Sequence, residues 1–180
     1  MRRAASIIAG SVLVGGLAAS AGARSETVVP LRLHGTVMLS GSHVRCGSGT
    51  LNGQIYIDCG IAGPGNEPKK GGYVAVMTQD GRVTILNSTT LRAVFSRAPA
   101  AVRLGTPVHP GDTIVLPGTS ISCNASKVGG KPTIICYYLD KKGVVRAGSI
   151  SFGISDTVVT SLGWDRTRHV HLLNSWPENG

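Results

Sequence analysis

Thr36–Cys46 reads TVMLSGSHVRC, and Thr113–Cys123 reads TIVLPGTSISC. The two strings stand 77 residues apart. Threonine, leucine, glycine and cysteine are identical in them, and Val37/Ile114, Ser42/Thr119 and Val44/Ile121 are near-isosteric exchanges. The same offset carries on through Gly53/Gly130, Ile57/Ile134 and Cys59/Cys136. It then slips by one residue and continues through Gly72/Gly148, Asp80/Asp156, Val83/Val159, Thr84/Thr160 and Leu86/Leu162. A self-similarity of this length is the signature of a duplicated structural unit.

Each unit holds one cysteine pair around a tight turn. Asn52-Gly53 is the favoured dipeptide of a type I′ hairpin, because both central residues need positive φ. Counting outward from it sets Leu51 opposite Gln54, Thr50 opposite Ile55 and Cys46 opposite Cys59. Gly129-Gly130 occupies the same place in the second unit and sets Cys123 opposite Cys136. Directly opposed residues on antiparallel strands lie about 4.5–5.5 Å apart, within reach of a disulfide. The expected pairing is therefore Cys46–Cys59 and Cys123–Cys136, one staple per unit. A zinc site is disfavoured, because the partners are separated by twelve residues rather than the two to four of a knuckle. The glycines of Gly47-Ser48-Gly49 mark the point where the first hairpin would open into a longer loop.

Strand signals dominate elsewhere. Thr36–Leu39, Ile55–Cys59, Tyr73–Thr78, Val83–Leu86, Thr113–Leu116, Thr133–Tyr138, Ser149–Ile154 and Thr157–Ser161 are short, rich in Val, Ile, Thr or Tyr, and mostly bounded by turn formers. Leu91–Arg97 and Arg168–Leu173 follow the fourth strand of each unit and read as further strands, with a short helix over Thr90–Ser96 as the alternative. The fold expected is mainly β: two tandem copies of a small disulfide-stapled β-domain, sandwich- or barrel-like, packed against each other as a pseudo-twofold pair. The boundaries are 24–102 for the first repeat and 103–180 for the second, with the proline-rich segment Arg97–Pro110 as connector.

Residues 1–23 read as a secretory signal peptide. Arg2-Arg3 begins it, an apolar run from Ala4 to Ser20 follows, and Ala21-Gly22-Ala23 forms a small-x-small cleavage site. The run is shorter than the roughly 20 apolar residues a membrane-spanning helix needs. Four cysteines in the remainder fit an oxidising compartment. The expected location is extracellular, with no membrane span after cleavage and cell-envelope association allowed.

Catalytic motifs are missing from the sequence. It has no G-x-S-x-G elbow, H-E-x-x-H pair or phosphate-cradling loop, so no enzyme activity and no cofactor are expected. Asp80 and Asp156 recur in both repeats within turn sequences and read as turn formers rather than a catalytic pair. His169-Val-His171 has a spacing that holds Cu or Zn, with His34, His43 or His109 as a third donor. Two surface histidines is the plainer reading. Trp164 and Trp176 read as packing residues rather than a sugar platform. The sequons at Asn87 and Asn124 matter only in a glycosylating host, and the composition looks bacterial.

Charge carries the functional content. The chain bears 18 Lys+Arg against 9 Asp+Glu, a formal net charge of +9. Without the signal residues the net is about +6 to +7. Lys69-Lys70 and Lys141-Lys142 fall in the corresponding loop of each repeat, and Lys127 and Lys131 flank the second hairpin turn. These loops point to an anionic envelope or extracellular polymer as partner. Nucleic acid is disfavoured by compartment and by a total of only eight aromatic residues. The expectation is a secreted, non-catalytic binding or structural protein with Lys69, Lys70, Lys141 and Lys142 in its binding loops. The alternatives are a secreted protein that inhibits an extracellular protease through the Gly60–Gly71 loop, and a small hydrolase without a familiar motif.

Overall fold

A computed structural model describes residues 26–63, 69, 71–87 and 105–178. The first repeat contributes β1 (Val28–Pro30), β2 (Thr36–Leu39), β3 (Val44–Leu51), β4 (Gln54–Ile61), β5 (Tyr73–Thr78) and β6 (Val83–Asn87). The second contributes β7 (Thr106–Val108), β8 (Thr113–Val115), β9 (Ile121–Val128), β10 (Lys131–Tyr138), β11 (Ile150–Ser155), β12 (Val158–Trp164) and β13 (Val170–Pro177). All the regular structure described is β.

Turn chemistry sets both hairpins. Asn52 (φ 50°) and Gly53 (φ 77°) turn the first, while Gly129 (φ 57°) and Gly130 (φ 79°) turn the second. The registers that follow oppose Cys46 to Cys59 and Cys123 to Cys136. Both pairs are disulfides with Cα atoms 4.0 Å apart. The first hairpin does not open at Gly47-Ser48-Gly49, which stays in register within β3. Gly47 and Gly49 instead face Asp58 and Tyr56 directly, and their missing side chains leave room for those larger ones.

The strands form two sheets, ordered β6-β5-β4-β3-β2-β7 and β1-β8-β9-β10-β11-β12-β13. The first strand of each repeat lies in the other repeat's sheet. β1 runs parallel to β8, with Val29 beside Ile114 and Pro30 beside Val115. β7 runs parallel to β2, with Thr106 beside Val37 and Pro107 beside Met38. The two pairings are the same pairing under the 77-residue offset. Thr106–Val108 thus leaves the proline-rich segment read as connector and joins a sheet. Proline is tolerated there because β1 and β7 are edge strands, where one side needs no N–H donor. The expected strand over Leu91–Arg97 lies outside the described residues, and the one over Arg168–Leu173 begins at Val170.

The one-residue slip also finds its place. Cys59 pairs with Ala75 and Cys136 with Phe152, so the offset is still 77 residues in β5 and β11. It becomes 76 only after the next turn, where Met77 pairs with Val83 and Ile154 with Val159. The deletion therefore sits in the turn before β12, downstream of Gly72/Gly148, where the sequence match had placed it.

One apolar cluster joins the inner faces of both sheets. It contains the equivalent pairs Val37/Ile114, Leu39/Leu116, Val44/Ile121, Cys46/Cys123, Ile57/Ile134 and Cys59/Cys136, each at most 3% exposed. Phe152 replaces the much smaller Ala75 at the equivalent core position, and both are fully buried. The two repeats share this core, so each buries its hydrophobic face against the other.

Candidate interaction surface

Sheet connectivity gathers charge at one end of the sandwich. The β10–β11 and β12–β13 loops lie side by side, joined by Gly148 N donating to Trp164 O (2.7 Å) and Trp164 N donating to Ser149 O (3.1 Å). The β5–β6 turn reaches the same end, where a Cβ on Gly81 would lie 2.9 Å from the Tyr138 ring. Arg146 stands over that ring, 5.9 Å from its centroid. Lys141, Lys142, Arg146, Arg166, Arg168 and Arg82 are all exposed here.

Three carboxylates share this end, and each is consumed by its own loop. Asp140 accepts from the backbone N–H of Lys142 (2.8 Å) and of Val144 (3.1 Å), and Arg168 Nη2 lies 3.3 Å away. Asp165 accepts from Thr167 N (2.8 Å), Thr167 Oγ1 (2.7 Å) and His169 N (2.9 Å). Asp80 accepts from Thr78 Oγ1 and pairs with Arg82 at 3.0 Å. These bonds hold all three below the ordinary carboxylate range: backbone donation is the largest cause for Asp140, and a threonine hydroxyl for Asp80 and Asp165. They stay ionised and tied into the loops. Six cations against three carboxylates leave this end with a formal excess of +3 among the described residues.

The basic loops singled out by the duplication do not converge. Lys69 lies at the opposite end, where its N–H donates to Ile61 O (2.8 Å) and its charge faces Glu178. Lys70 lies outside the described residues. That end also holds Lys127 and Lys131 around the second hairpin turn, with Lys131 Nζ 3.3 Å from Thr157 Oγ1. Asp156 is there too and accepts from His43 N at 2.8 Å. Asp80 and Asp156 are thus separated by the length of the sandwich, and both act in turns. Arg82, Arg146, Arg166 and Arg168 lie on three loops and do not recur as matched pairs between the repeats, so the repeated lysine pairs drew the sequence reading elsewhere.

The remaining candidates are placed singly. His169 Nδ1 contacts Thr167 Oγ1 at 2.9 Å, whereas His171 packs over Gly163, where a Cβ would meet its Nε2 at 2.7 Å. No three His, Cys, Asp or Glu side chains converge among the described residues. Trp164 Nε1 donates to Ser151 Oγ (2.8 Å), and Trp176 meets the Tyr73 ring of the other repeat at 6.4 Å between centroids. An open depression is lined in part by Glu26, Asp112, Asn124 and Lys127. Its carboxylates are engaged: Asp112 accepts from His109 N (2.8 Å) and Glu26 from Thr113 Oγ1 (2.7 Å).

No helix among the described residues is long and apolar enough to cross a membrane. The search of family models, of curated proteins and of solved structures finds no match to this chain.

Proposed function

We propose that this is a secreted, non-catalytic binding protein that attaches to an anionic polymer of the cell envelope or its surroundings. The observation that carries the reading is the cationic end: exposed Lys141, Lys142, Arg146 and Arg166 on loops whose carboxylates are occupied by backbone donors. A phosphate- or carboxylate-bearing polymer meets net positive charge there without displacing a structural ion pair. Such attraction between exposed charges is screened over about 8 Å at physiological salt, so the binding is steep in ionic strength. The two disulfides are compatible with an oxidising, extracellular setting. The opposite end, with Lys69 beside Glu178, is the weaker contributor.

Co-sedimentation of the mature protein with purified envelopes tests this at low and at about 0.5 M salt. Binding at low salt should vanish at high salt, and should fall when Lys141, Lys142 and Arg166 are changed to Gln. Absence of binding at low salt would remove the proposal.

A further inference from the structure

Both tryptophans read as packing residues in the sequence, and the structure separates them. Trp176 packs against the shared core, whereas Trp164 belongs to neither apolar cluster among the described residues. Cys136, Phe152 and Val159 point into the core, so strand alternation puts Tyr137, Ser151, Leu162 and Trp164 on the outer face of the larger sheet. Trp164 Nε1 donates to Ser151 Oγ (2.8 Å) on the neighbouring strand, which leans the indole along the sheet instead of away from it. Cys136 pairs with Phe152, so Tyr137 and Ser151 stand level on the next strand over. Tyr137 pairs in turn with Ser122, whose side chain reaches its phenol. Both rings are half-buried, and Val170, paired with Trp164, is 52% exposed.

The first repeat has neither ring. At the matched positions Tyr137 corresponds to Gly60 and Trp164 to Ser88, while Ser151 corresponds to Val74. Val74 is instead buried with Tyr56 and Val76 in an apolar cluster. Aromatic rings with polar edges, laid on a serine-bearing strand face, fit a pyranose: its C–H groups rest on the rings and its hydroxyls meet the polar edges. The indole also borders the cationic loops. Trp164 ends β12 just before the loop of Arg166, and its N–H donates to Ser149 O (3.1 Å) after the loop of Lys141 and Lys142. Glu26 acts on Tyr137 from the other side, so acidic groups of a ligand are directed toward Arg166. We propose that the anionic polymer is an acidic polysaccharide, with sugar rings on Trp164 and Tyr137 and carboxylates on Arg166, Lys141 and Lys142. This rests on the cationic-end reading and adds the sugar ring to it, since a polyanion without rings engages the loops alone.

Calorimetric titration of the mature protein with polygalacturonate and with poly(glycerol phosphate), at low salt, tests it. Trp164→Leu should weaken polygalacturonate binding by about fivefold, the size of one aromatic contact, and leave poly(glycerol phosphate) binding unaltered. Tyr137→Leu supplies the same test should Trp164→Leu disturb the melting curve. Polygalacturonate, and not poly(glycerol phosphate), should also shift the wild-type tryptophan emission, because Trp176 packs against the core and Trp164 does not. Unaltered polygalacturonate affinity in both variants overturns the inference while leaving the cationic-end reading in place. Equal losses for the two polymers overturn it as well, because the rings would then serve only to hold the loops. Binding of neither polymer overturns the inference and the reading together.

Discussion

Val29 lies beside Ile114, and under the repeat offset the same contact recurs as Thr106 beside Val37. Each repeat therefore completes the other's sheet with its first strand. The adjacent residues Leu31 and Val108 are 2% and 0% exposed, so the exchanged strands lead directly into the shared core. This reciprocity makes the two repeats one cooperative unit rather than two tethered beads.

The exchange predicts a non-local effect of a local change. Leu31→Ala should destabilise the protein by about 2–4 kcal/mol, the range for emptying a buried leucine site. Amide exchange should rise in β8 and β9, which belong to the other repeat. Chemical denaturation of the wild type should show a single transition, monitored by the far-ultraviolet signal and by tryptophan fluorescence, both tryptophans being in the second repeat.

The staples act on the same unit. Replacing Cys123 and Cys136 together by alanine should cost about 3 kcal/mol through the freed unfolded chain, as expected for a loop of this size. Because the core is common, the first repeat should unfold at the same lowered denaturant concentration as the second. Separate transitions in the variant would contradict that.

Close packing on the outer face of the first hairpin gives a third expectation. Gly49 faces Tyr56, and a Cβ there would stand 2.5 Å from the phenol oxygen. Gly49→Ala should cost about 1–3 kcal/mol by forcing the ring or strand to shift. Burial, with Asp58 nearby, pushes the Tyr56 phenol up to about 12, so its titration measured by ultraviolet absorbance should fall toward 10 in this variant.

Asp58 supplies the pH dependence. Burial is the largest influence on it and outweighs the neighbouring Arg45 and a backbone hydrogen bond, so its carboxyl is raised above the ordinary value of 3.8. A folded-state value above the unfolded one means the fold favours the neutral acid. That contribution is present at low pH and is lost as pH rises from the unfolded value through the raised one. Asp58→Asn should hold the neutral form throughout. Its melting temperature at neutral pH should equal or exceed wild type, with a flatter profile on the acid side. A marked drop at neutral pH would show that the charged pair with Arg45 dominates instead.

Much of this fold was legible in the chain because the hairpins are specified locally. Asn52-Gly53 and Gly129-Gly130 fix the register, and the register fixes both disulfides. The exchanged strands were harder to read. Each has three residues and a proline, so Thr106–Val108 looks like linker, although the Pro30/Pro107 match at the repeat offset was a usable signal. The sense of the pseudo-symmetry was not legible at all. It separates Lys69 from Lys141 and Lys142, because equivalent loops fall at opposite ends when two units pack face to face. The cationic end is built from two loops that touch in space, those carrying Lys141 and Arg166, which lie on different hairpins.

The most direct test of that end is the affinity of the mature protein for poly(glycerol phosphate), measured against salt concentration. Each neutralised phosphate adds about one unit or slightly less to the slope of log affinity against log salt in polyanion binding. A steep slope that becomes shallower by two or more units in Lys141→Gln/Lys142→Gln/Arg166→Gln, with unchanged thermal stability, is the result this account predicts. Affinity that is absent at low salt, or equal in wild type and variant, would contradict it.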